Sequence, residues 1–80
     1  MPLNSKERVQ LQAFGANVRR ERSRLGLTQE KLAEKVELHP RTLQKVEAGQ
    51  VNLLMTTILR LHQALGCSWE ELMRDCSQSR

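Results

Sequence analysis

Apolar residues return at helical spacing along most of this chain. Leu11, Phe14, Val18 and Leu25 fall at intervals of 3, 4 and 7, one face of an amphipathic helix over residues 6–25 that Gly26 ends. Thr28 is placed to cap a second helix, with Gln29 and Glu30 in its first turn and Leu32, Ala33 and Val36 as its buried side. Pro40 disfavours helical geometry in His39 and suits the first position of a new helix. A third helix is therefore predicted from Pro40 to Ala48, burying Leu43 and Val46, with Gly49 to terminate it. Leu54, Ile58, Leu61 and Leu65 mark a fourth, closed by Gly66. The S-x-x-E capping box at Ser68 and Glu71 opens a fifth, with Trp69, Leu72 and Met73 on its apolar side. No segment alternates in the manner of a strand, so the pattern predicts an all-α fold, a compact bundle of five short helices.

At 80 residues the chain suits one small domain, expected over residues 8–75 between a flexible N-terminal segment, 1–7, and a C-terminal tail, 76–80. That length is expected to leave no room for a separate catalytic or sensing domain. No apolar run is long enough to span a bilayer, and the start MPLNSKERVQ lacks a signal-peptide core. The two cysteines, Cys67 and Cys76, fall short of a disulfide framework, and Cys67 reads as a small core residue. Together these point to a cytoplasmic protein with no membrane partner.

Charge adds a direction to this picture. The net charge is +4, and it sits early: residues 1–26 hold Lys6, Arg8, Arg19, Arg20, Arg22 and Arg24 against only Glu7 and Glu21, while the remainder balances. Such clustering is either a footprint for an anionic polymer such as nucleic acid or a solvated helix face. Catalysis and metal binding find no support. His39, His62, Cys67 and Cys76 lie 23, 5 and 9 residues apart, which matches no standard zinc pattern. A Cys and a His five apart make a poor nucleophile pair, and no glycine-rich phosphate loop is present. No enzyme activity, cofactor or metal is expected.

Two short helices joined by a tight turn, the second starting at Pro40, form a helix-turn-helix unit. The stretch LGLTQEKLAEKVELHPRTLQKVEAG, followed by ILRLHQALGCSWEEL, resembles the phage-repressor and Cro-like helix-turn-helix family, also called the xenobiotic-response-element (XRE) type. Its ordered features are the turn LGLTQ, the pair Leu32 and Ala33, Leu43, the ending at Val46, Glu47 and Gly49, and LxxALG from Leu61 to Gly66. The resemblance implies a double-stranded DNA partner and a transcriptional regulator, a repressor that acts as a homodimer on a palindromic operator and is nucleoid-associated when bound. It also leaves open an antitoxin-type module, whose main partner is a protein such as a toxin or another regulator. A restriction-modification controller falls within the first reading.

Carried over by position, the resemblance implies base reading by Arg41, Thr42, Gln44 and Lys45 on the third helix. Arg41 is the leading candidate, because a guanidinium bonds guanine O6 and N7 together; a phosphate contact is its alternative. A phosphate contact is implied for Gln29, with His39, Gln50 and Asn52 as further phosphate-contacting candidates through their own hydrogen-bonding groups. A structural ion pair is implied for Arg22 with Glu47, a phosphate contact being the alternative for Arg22. The chain departs from the family in places. Glu37 stands in the turn where glycine is favoured, so a relaxed or lengthened turn is expected. Gln50, Val51 and Asn52 are neutral where basic residues are common, and Leu53 and Leu54 replace the usual cap of the fourth helix. Trp69 is expected in the core, with a dimer seam as its alternative.

Overall fold

The computed structural model describes residues 2–76 and contains α1 (Ser5–Arg24), α2 (Gln29–Lys35), α3 (Pro40–Glu47), α4 (Met55–Leu65) and α5 (Trp69–Leu72), with no strand among the described residues. Their buried faces converge on one core. Phe14 and Val18 from α1 meet Leu32 and Ala33 from α2, Leu43 and Val46 from α3, Leu61 and Leu65 from α4, and Leu72 from α5. Val36 and Cys67 complete it. Burial pushes the Cys67 thiol above its ordinary pKa, so it stays a protonated core side chain.

Local chemistry sets most helix ends. Thr28 Oγ1 accepts from Lys31 N–H at 3.0 Å, and Ser68 and Glu71 exchange the two bonds of a capping box. The start of α1 lies earlier than expected. Asn4 Oδ1 accepts from Glu7 N–H at 2.8 Å, and Glu7 Oε1 accepts from Asn4 N–H at 3.0 Å. This second box draws residues 5–7 into the helix, out of the segment expected to be flexible. Of the expected tail only Cys76 is described; residues 77–80 lie outside the described residues. Helix α4 has Leu54 at its N-cap position and no side-chain cap.

Several apolar positions are not core. Leu25 is 42% exposed and Leu54 74%, because each ends up as a cap residue beyond its helix's buried stripe. Leu11 is half-buried. In their place α1 buries Asn17 and Glu21. Trp69, expected in the core, is 42% exposed and lies flat on the His62 ring, centroids 3.7 Å apart and planes 7° from parallel. Met73 is similarly exposed, leaving Leu72 as the α5 residue that reaches the core.

The α2–α3 turn is tight rather than relaxed or lengthened. Glu37 holds the left-handed geometry itself, at φ 60°, and Leu38 N–H closes the helix end on the Ala33 carbonyl at 2.9 Å. A non-glycine residue there costs about 1–2 kcal/mol. Leu38, packed against the core, helps to hold it in place.

Candidate nucleic-acid interface

Helix α3 is built to show one side to solvent. Leu43 and Val46 face the core, and Arg41, Gln44 and Lys45 lie within about one-third of a turn of one another on the opposite side, all exposed. Thr42 sits half-buried on the flank. Pro40 occupies the first turn, where its missing N–H is no loss, and His39 caps it. His39 Nδ1 accepts from Arg41 N–H at 3.1 Å. That bond puts the neutral ring's proton on Nε2, which is left free to donate outward. Gln50 and Asn52 are exposed beyond the other end of α3.

A buried network fixes the angle of this helix. Arg22 of α1 grips Glu47 at the last position of α3, Nε to Oε2 at 2.6 Å and Nη2 to Oε1 at 3.1 Å, while its Nη1 donates to the Leu27 carbonyl at 2.8 Å. The two side chains are only 13% and 4% exposed. Gln29, the first residue of α2, donates from Nε2 to Glu47 Oε1 at 2.9 Å. One carboxylate thus joins α1, α2 and α3, and Gln29 is held at the α2 N-terminus with the second N–H of its amide left to donate. Close backbone contact supports the same junction: a Cβ on Gly15 would meet the Val46 carbonyl and lie 2.6 Å from that of Glu47. Gly49, at φ 71°, leaves its Cα against Gln12.

The early basic cluster is therefore partly internal. Arg22 is committed to Glu47, and Arg20 and Arg24 both bind the buried Glu21, at 3.3 and 2.8 Å. The Arg24 guanidinium, with help from Arg20 and against the effect of burial, holds the Glu21 carboxyl below its ordinary pKa. This second network also reaches the C-terminal elements, and nothing in the spacing of the sequence marked it. Asn17 Nδ2 donates to the Leu72 and Arg74 carbonyls, each at 2.8 Å, and its Oδ1 accepts from Arg20 Nη1 at 2.8 Å. Arg20 Nη2 donates to the Glu71 carbonyl, also at 2.8 Å.

A short helix laid across α3, a tight turn, and an α3 whose outer side carries only polar groups define a helix-turn-helix DNA-binding unit. The family model described as Helix-turn-helix, HTH_3, matches residues 18–72, and the chain belongs to that family. It is a DNA-binding transcriptional regulator of the XRE type. Among solved structures it is similar to the restriction-modification controller protein C.AhdI from Aeromonas hydrophila. The two share 38% identity at a TM-score of 0.75, over 80% of this chain and 97% of that one. It is also similar to the clp gene regulator ClgR from Corynebacterium glutamicum, at 26% identity and a TM-score of 0.78, over 95% of this chain and 90% of that one. No match is found among the curated proteins. No described helix is long and apolar enough to cross a membrane.

Proposed function

We propose that the protein is a homodimeric repressor that reads a palindromic operator with α3. The observation that carries the reading is the outer side of α3, where Arg41, Gln44 and Lys45 stand exposed while Glu47 anchors the helix from behind. An arginine bidentate to guanine is worth about 1–3 kcal/mol of discrimination, and Gln44 and Lys45 add hydrogen bonds to adenine and guanine edges. Gln29 and the free α2 N–H groups, with His39, Gln50 and Asn52, bind phosphates and fix the register without reading sequence.

Pairing of two copies is supported by a second surface. Met55, Leu59 and His62 follow one another at spacings of 4 and 3 on α4, and Trp69 stacks on His62, so the exposed apolar groups form one stripe that Met73 extends. Two copies joined there by a two-fold axis would present two α3 helices to successive major grooves about 34 Å apart. Repression needs only occupancy of a promoter, which a domain of this size supplies. The likeness to a restriction-modification controller and to a clp gene regulator supports a role in gene control.

Selection of bound duplexes from a random pool tests the proposal. The expected product is a two-fold symmetric motif with half-sites about one helical turn apart. Weak, steeply salt-dependent binding with no motif would refute it and favour the antitoxin-type alternative, in which a protein is the main partner.

A further inference from the structure

The loop after α3 lacks cations, since Gln50, Val51 and Asn52 are neutral, and half of the early basic residues are spent on Glu21 and Glu47. Lys6, Arg8 and Arg19 remain, exposed and without an ion-pair partner among the described residues. The packing of α1 sorts these three. Gly15 touches the carbonyls that end α3, and Gln12 touches Gly49 in the turn that follows. Arg8 lies four residues before Gln12, and Arg19 four residues after Gly15 and three before Arg22, which holds Glu47. Arg8, Gln12, Gly15, Arg19 and Arg22 therefore share one side of α1, the side that crosses the C-terminal end of α3. Lys6 is nine residues from Gly15, half a turn out of phase, on the far side.

A helix with its side chains, about 10–12 Å across, fills a major groove of about 12 Å, so phosphates border it and groups just beyond its end meet one backbone. We propose that Arg8 and Arg19 form a phosphate-binding strip on α1 that takes the place of the cations missing from the α3–α4 loop. Eleven residues at 1.5 Å each separate them by about 16 Å, so they engage different phosphates. Neither reads sequence. The proposal rests on the α3-first binding mode, and its test does not depend on an operator being found.

The experiment is a salt titration of binding to a random-sequence duplex and, separately, to the selected one, with Arg8→Gln, Arg19→Gln and Lys6→Gln beside the unaltered protein. Each lost phosphate contact reduces the steepness of the negative slope of log K against log salt by about 0.9. That reduction is expected for each arginine variant on both duplexes, with the slope unchanged for Lys6→Gln. Unchanged melting temperatures are expected throughout, because all three side chains are exposed and make no side-chain hydrogen bond or ion pair among the described residues. An unchanged slope for either arginine variant overturns the strip, as does an equal reduction for Lys6→Gln, which would assign the effect to net charge. Failure of the operator reading would appear elsewhere, as a selection without a motif while the slopes on random duplex still differ.

Discussion

Glu21 and Arg22 are neighbours in sequence, yet each belongs to a buried network serving a different side of the molecule. Arg22 turns toward the helix-turn-helix and, through Glu47, ties α1 to α3 and to Gln29 of α2. Glu21 anchors Arg20 and Arg24, which with Asn17 cap the carbonyls of Leu65, Glu71, Leu72 and Arg74. The first network closes charge on charge around the helix-turn-helix. The second spends its donors on backbone, because α5 has only four residues and is too short to hold itself. One helix thus carries two separate supports, for the helix-turn-helix and for the surface proposed to pair.

The largest effect is expected from breaking the first network. Glu47→Ala leaves the Arg22 charge buried and unpaired, a loss of about 3–5 kcal/mol that thermal melting measures. It also releases Gln29, so affinity should fall on every duplex alike. Asn17→Ala should cost about 1–3 kcal/mol, since the Leu72 and Arg74 carbonyls lose their donor. Hydrogen exchange should then rise in residues 69–76 while α2 and α3 keep their protection, and sedimentation should show weaker self-association. Equal exchange gains throughout would mean that the two supports are not separate.

A smaller effect comes from pH. The folded state depresses the Glu21 pKa, so its stabilisation is fully present above the ordinary carboxylate value and is lost as pH falls through the depressed one. Wild-type stability should decline over that acidic window. Glu21→Gln should lower stability at neutral pH and flatten the decline, and an unchanged profile would show that Glu21 does not govern it.

These two regions also differed in how well the sequence announced them. The pairing of Arg22 with Glu47 was implied by the resemblance to the helix-turn-helix family, and the ends at Thr28, Pro40 and Ser68 follow from capping chemistry within a few residues. Asn17 finds its partners 55 and 57 residues away, and a lone polar residue inside a helix carries no sign of that. The same holds for Gly15, whose reason is the α3 backbone against it. The Asn4 and Glu7 box was readable, since Asn followed three residues later by Glu is a start signal. Trp69 misled because apolar character announces burial, whereas here the ring is laid on His62 at the surface. Glu37 misled because residue type argued for a relaxed turn, and packing of Leu38 outweighed the local cost.

The role of α3 as reader is met head-on by substituting each base pair of a selected half-site and measuring the affinity of the unaltered protein and of Arg41→Ala at fixed salt. The expected result is loss of about 1–3 kcal/mol of preference at a single base pair per half-site, with discrimination elsewhere intact. A uniform loss on every sequence would make Arg41 a phosphate contact and would contradict base reading from the outer side of α3.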